Sequence, residues 1–265
     1  MTADELFAKL QRELPRLTYG GREWFLLQGD ERVDNSALYA WCEAVVGPKA
    51  TNPPGEGLTV QTSNDKKRIV RWAPGVVLTW CCLKPTFGND VAGIERYGRV
   101  RDNFARAALE WEGVCGVQFR HVPEADDDGE TDRTQCIFGV RQKQLPGNYI
   151  ALAFFPNDPP TTRDLLIDEK YFSTTFDPVG VMRHEIGHIL GFRHEHIAKE
   201  APAGCRKLET DPHHRPVTPY DSKSVMHYPC LGNTYGDPTF AITAADRQGA
   251  VGVYGLPLSS FALHR

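Results

Sequence analysis

Residues 181–197, VMRHEIGHILGFRHEHI, hold four of the chain's 9 histidines with two glutamates and two glycines in one apolar run. On a helix, residues four apart share a face, so His184 and His188 can offer two imidazole nitrogens to one metal ion. Glu185 stands beside them, placed to act on water rather than on the metal. Two nitrogens are too few to hold an ion. Gly191 supplies the next piece, because glycine adopts positive φ without penalty and commonly ends a helix. A bend there would return the chain and bring His194 in as a third ligand. Three protein ligands with one position open is the arrangement of catalytic zinc, whereas structural zinc is closed by four.

A second stretch, Ser224-Val225-Met226-His227-Tyr228, follows downstream. Residues 184–194 spell HExxHxxGxxH, and with the later methionine segment they resemble the metzincin zinc peptidases. Glu195 directly after the third histidine, together with S-x-M-H-Y, resembles the astacin family, over about residues 69–255. The resemblance implies an α+β fold: a metzincin-type zincin domain with a mixed twisted sheet, an active-site helix and a C-terminal subdomain built around a Met-turn. It implies one catalytic Zn2+ on His184, His188 and His194, with Glu185 as general base and Met226 packed beneath the metal. Tyr228 would be a switchable fourth ligand that moves to stabilise the oxyanion. Glu195 would hold the N-terminus freed by activation, while His196 and His227 read as structural or exposed. The sequence departs from the family after Glu195, where His196-Ile197-Ala198-Lys199 replaces Q-x-R-x-D. The connector to the Met-turn is also shorter, and adjacent Cys81 and Cys82 do not fit the usual disulfide layout.

The reaction implied is peptide hydrolysis. Glu185 would take the proton of the attacking water and give it to the leaving amine, and YIALAFF (149–155) is the expected edge strand for pairing with substrate backbone. Leu27-Gln28-Gly29-Asp30 resembles the F-x-G-D motif of astacin zymogens, with Leu in place of Phe. Residues 1–60 are therefore expected to be an inhibitory pro-segment with Asp30 in the open zinc position, preceding a peptidase domain at 61–265; a simple turn is the competing reading of Gly29-Asp30. Cys42 is a lesser candidate for that block. Two other functions compete: a catalytically inactive zinc-binding module that recognises peptides, which would have no need of Glu185, and a cysteine hydrolase, for which no local context marks a nucleophile.

These groups need elements to position them. Leu6, Leu10 and Leu14 predict a short N-terminal helix, and residues 36–46 a second. The Pro- and Gly-rich run 47–57 reads as a linker. Beyond it, 68–83 suggests a strand pair or a bent strand, and Val100, Phe104, Ala108 and Trp111 mark an amphipathic helix. Short strands are expected at 117–122, 135–140, 149–155 and 164–172. A last helix after Thr243 has Asp246 at its third position, where a carboxylate suits a helix N-terminus. Strands and helices do not alternate regularly, which favours α+β over a doubly wound sheet.

Composition sets the outer limits. A chain of 265 residues, 41% hydrophobic and with net charge -4, can bury a real core. It carries no apolar run near the roughly 18 residues of a membrane span. It also lacks the clustered Lys and Arg that nucleic-acid binding requires, Lys66-Lys67-Arg68 being too short. The expected partner is a protein or peptide substrate, with neither nucleic acid nor membrane. The resemblance implies a secreted or extracytoplasmic protein, although the charged N-terminus MTADELFAKLQREL is not a secretory signal. The 7 cysteines form no CxxC pair, and their odd number leaves at least one thiol outside any internal disulfide.

Overall fold

The structure is a computed structural model that describes residues 1–27, 31–46, 58–63, 68–73, 75–127, 135–198, 200–205 and 214–258. Thr2 and Glu5 form a reciprocal capping box that starts α1 (Ala3–Glu13), and the helix buries Leu6 and Leu10. A meander of β1 (Arg16–Tyr19), β2 (Arg22–Leu27) and β3 (Glu31–Val33) leads into α2 (Asn35–Val46). Side chains alternate across a strand, so β2 serves two cores at once. Phe25 and Leu27 join Leu6, Leu10, Leu38 and Trp41 in a small N-terminal core. Trp24 and Leu26 face the other way and pack with Leu17 and Tyr19 onto Leu145, Leu152 and Leu166 of the main body. Arg32 fastens the same junction, donating to the carbonyls of Thr162 at 2.8 Å and Asp164 at 3.1 Å.

The main sheet runs in the order β6 (Gln118–His121), β5 (Val77–Cys82), β7 (Phe138–Gln142), β9 (Asp164–Ile167), β8 (Ala151–Leu152). Every pairing is parallel except that of β8, which lies antiparallel on β9 and forms one edge. Between β5 and β6 the chain crosses over through α3 (Val91–Glu112), whose Val100, Phe104, Ala108 and Trp111 are buried as their spacing predicts. Helix α4 (Pro178–Ile189) opens with Asp177 as cap and proline in the first position, and is buried from Val179 to Ile189. A small antiparallel sheet joins β4 (Thr59–Gln61) to β10 (Phe192–Arg193) and β11 (His214–Pro216). Helix α5 (Ala244–Tyr254) closes the described chain behind a capping box of Thr243 and Asp246.

The expected mixed architecture is present, with particular differences. The strand expected over 164–172 stops at Ile167, because the Asp168 side chain accepts from the Lys170 N–H and starts a 3-10 turn. The run 68–83 yields a single strand from Val77; Gly75 at φ 79 turns the chain ahead of it, and Ile69 makes only a bridge to Thr62. The 149–155 strand is reduced to the two residues of β8. Asp30 and the linker at 47–57 lie outside the described residues. No described helix is long and apolar enough to cross a membrane.

Candidate metal centre and active site

Helix α4 ends where the chemistry begins. Gly191 takes φ 91, and a side chain there would overlap the carbonyl oxygen of Val70. Two aromatic donors occupy the carbonyls that a helix end leaves open: Trp72 Nε1 donates to Ile189 O at 2.7 Å, and the Tyr254 hydroxyl to Leu190 O at 2.6 Å. The returning strand β10 then brings His194 to the two helical histidines. One nitrogen from each of His184, His188 and His194 lies within 4.8 Å of the others, and all three residues are buried. His184 Nδ1 meets Val225 O at 2.8 Å, and His188 Nδ1 meets Phe192 O at 2.8 Å. Only a protonated Nδ1 can bond a carbonyl, so in the neutral rings each Nε2 keeps its lone pair for a metal. His188 Nε2 and His194 Nε2 stand 3.2 Å apart. Two lone pairs at that distance repel unless a cation or a proton lies between them, so the donor set suits a metal ion.

The methionine segment is clamped from behind. Asp246, at the start of α5, accepts from Ser224 Oγ at 2.6 Å, from the Val225 N–H at 2.8 Å and from the Thr243 N–H at 2.9 Å. Burial pushes its carboxyl up, while these donors pull it back. The same Val225 carries the carbonyl that orients His184. Met226 is fully buried, and its sulfur lies against Gly187 on α4, where a Cβ would overlap it. The Glu195 N–H donates to Met226 O at 2.9 Å, which ties the third histidine's neighbour to this turn.

Glu195 itself is fully buried. One carboxylate oxygen accepts from the Asp221 N–H at 2.8 Å, and the other has no hydrogen-bond partner among the described residues. Burial raises its carboxyl well above the usual range. His227 is also buried, and burial lowers its imidazole. The neutral ring donates from Nδ1 to Tyr228 O at 2.8 Å and accepts from the Tyr220 hydroxyl at 3.0 Å. Tyr228 is half-buried, with its ring 5.0 Å from that of His184 and 4.7 Å from that of His194.

A cleft of about 900 Å³ opens over these groups, with His184, Glu185 and Tyr228 in its lining. Residues 147–151, which lead into β8, form part of its rim. Leu10, Glu13, Leu14, Pro15 and Leu26 bring the N-terminal unit into the same lining. Cys205 and Cys230 are joined in a disulfide at the rim. Such a bond is consistent with an extracellular location.

The expected residues thus fall into distinct groups. His184, His188 and His194 come together, with Glu185 and Tyr228 beside them on the cleft and Met226, Gly191 and Glu195 in the surrounding shell. His196 lies on the cleft and His227 behind it, and neither belongs to the metal-compatible group among the described residues. Cys42 is corrected: it is buried in the N-terminal core, where burial raises its thiol to about 11, and it does not line the cleft. Two contributors were not legible in advance. Asp246 is visible in the sequence only as a helix cap, and its grip on Ser224 and Val225 exists only in the folded chain. Arg183 is a charge on a buried helix beside the histidine motif, which is a signal in itself. It bonds Glu110 at 2.8 Å, Asp177 at 2.7 Å and the carbonyls of Thr239 at 2.7 Å and Phe240 at 2.9 Å. Phe240 sits at φ 46, a backbone region that costs a bulky residue about 1–3 kcal/mol.

No protein-family model and no curated protein matches the chain. Among solved structures, it is similar to a structure of myroilysin at TM-score 0.50 and 18% identity, over 74% of this chain and 98% of that one. A crystal structure of myroilysin gives TM-score 0.45 and 17% identity over 70% and 86% of the two chains. The first likeness shows a shared fold.

Proposed function

We propose that this chain is a zinc-dependent endopeptidase of astacin-like metzincin type, made as a zymogen. The observation that carries the reading is the convergence of three buried imidazoles, two of them oriented by backbone carbonyls, with His184 and Glu185 lining an open cleft. Nitrogens bound at about 2.0–2.1 Å to one tetrahedral zinc stand about 3.4 Å apart. The 3.2 Å between His188 and His194 fits that value. When bound by the three histidines, zinc would supply Lewis acidity, bringing the pKa of water near neutrality and polarising a carbonyl.

The chain's own groups would do the rest. Glu185 accepts a proton on a carboxylate oxygen from the water that attacks the peptide carbonyl. It then passes that proton to the amide nitrogen of the departing chain, so the bond breaks without releasing an unprotonated amine. The Tyr228 hydroxyl donates to the oxyanion, a contact typically worth about 2.7–4 kcal/mol of barrier. Tyr228 would also be the switchable extra ligand of a bound ion. The edge strand β8, with residues 147–150, binds the substrate backbone by strand addition.

Residues 1 to about 60 would act as the pro-segment, with Asp30 as the residue that would block the open metal position. The presence of α1 and β2 residues in the cleft lining supports this, as does the buried Glu195 oxygen that has no hydrogen-bond partner among the described residues, which offers a seat to an ammonium group freed by cleavage. The protein acts outside the cytoplasm, on protein or peptide substrates.

The experiment is casein cleavage by zinc-loaded wild-type and Asp30→Ala protein, with chelator controls and with Glu185→Gln added to the Asp30→Ala chain. Loss of chelator-sensitive cleavage in the variant, with zinc still bound, supports the enzyme. Absence of cleavage by wild type and by Asp30→Ala alike would leave the inactive peptide-recognition module as the better reading. Asp30→Ala is expected to be active at full length, and a variant as quiet as wild type would count against Asp30 as the block.

A further inference from the structure

The part of the cleft next to His184 and Glu185 has a distinct chemistry. Val181 stands one helical turn before Glu185, which places it on the same face of α4. The Phe240 ring meets His184 edge-on with 5.2 Å between centroids, and Phe176 meets Phe240 in the same way at 5.5 Å. Phe240 is held there against its own backbone preference. It keeps φ 46, its N–H donates to Asp237 O at 2.9 Å, and its carbonyl accepts from Arg183 Nε at 2.9 Å. The Arg183 guanidinium is itself fixed by Glu110 and Asp177. A large aromatic kept in a disfavoured conformation by a buried, fully engaged arginine has a defined position to fill.

Charge sharpens the inference. Among the described residues lining the cleft, the charged side chains are Glu13 and Glu185, with no Lys or Arg. An acidic side chain entering beside Phe240 would lose its hydration and meet no cation. Glu13 belongs to α1 and not to the α4 wall. We propose that Phe176, Val181 and Phe240 form a specificity pocket that takes a bulky apolar or aromatic side chain flanking the bond to be cut. The bond-cutting part rests on the peptidase reading, whereas the pocket's preference does not.

The test uses the full-length chain carrying Asp30→Ala, so that the proposed block at the metal position does not decide whether peptides bind or are cut; the N-terminal residues that line the cleft stay in place. Fluorescein-labelled hexapeptides that differ at one position, Phe, Leu, Glu or Lys, are titrated under chelation, so that binding is read without hydrolysis. The Phe and Leu peptides are expected to bind about 10- to 200-fold more tightly than the Glu and Lys peptides, the range over which apolar pockets discriminate. Val181→Lys should reverse the order of Phe and Glu. If that variant does not fold, Phe176→Lys, at a half-buried position, makes the same test. Equal binding of all four peptides, no binding of any, or an unchanged order in a folded lysine variant overturns the pocket. Zinc is then added and the same peptides are followed by mass spectrometry. Selective binding with no cleavage overturns the peptidase reading and leaves the pocket standing; cleavage with no Phe or Leu preference does the reverse.

Discussion

Gly187→Ala tests how the metal site is supported from below. The new Cβ would overlap Met226 Sδ and stand 3.1 Å from Met226 Cε. Ordinary contact requires about 3.5–4.0 Å, so the thioether must retreat by more than about 1 Å. Met226 is fully buried, so it has no open side to move into. Methionine is flexible and will absorb part of the clash. Overpacking of this kind costs about 1–3 kcal/mol. The displaced residue follows Val225, whose carbonyl holds His184 Nδ1 at 2.8 Å, so the shift should reach the ligand. Loosening an outer contact of a metal ligand typically lowers affinity about 10- to 100-fold. The assay is urea unfolding of the chelated protein, combined with zinc competition against a chromogenic chelator. Met226→Ala alone should cost about 2–5 kcal/mol through its cavity. In the double variant the methyl group added at Gly187 occupies part of that cavity, so the two costs should fall short of additivity by about 0.5–3 kcal/mol. Additivity within about 0.5 kcal/mol, or a neutral Gly187→Ala with unchanged zinc affinity, would refute the packing argument.

Two further outcomes follow from the same region. Asp246→Ala removes the acceptor for Ser224 Oγ and the Val225 N–H, leaving buried donors that cost about 1–3 kcal/mol each; zinc affinity should fall with stability, Asp246→Asn should recover part of both, and unchanged zinc affinity in a folded Ala variant would disconnect the cap from the site. Replacing Cys205 and Cys230 by serine opens a link across a sequence separation of 25, which the chain-entropy relation values at about 3.5 kcal/mol; urea unfolding of the double variant checks this, and a loss below about 1 kcal/mol would mean that neighbouring contacts hold the rim without the bond.

The centre of the site was legible because its code is local. Helical spacing alone puts His184 and His188 on one face, and the conformational freedom of Gly191 allows the return that brings His194 home. The amphipathic α3 and both terminal helices were legible for the same reason, since periodicity and caps are written within a dozen residues. The meander β1–β3 was not read at all: β2 buries Phe25 inward and Trp24 toward the main sheet and so carries no polar alternation, while β1, whose exposed and buried residues do alternate, is only four residues long. Nor could the sequence reveal that Cys205 pairs with Cys230 while Cys42 is enclosed in a core, because spacing does not determine which thiols meet.

The polar groups in this interior form a chain of dependence rather than a set of separate contacts. Helix α4 is buried on all sides, so every charged or imidazole group it carries needs a partner from another element. Arg183 finds its partners on α3, at the α4 cap and around Phe240, while His184 finds its own on the Met-turn. The Met-turn in turn depends on Asp246, which also caps α5. A residue that nucleates the last helix therefore also sets the carbonyl that aims His184. Formation of α5 and readiness of the metal site should consequently be one cooperative event, with zinc binding protecting α5 amides from hydrogen exchange as strongly as those of α4. Protection confined to α4 would show that the two helices are only neighbours.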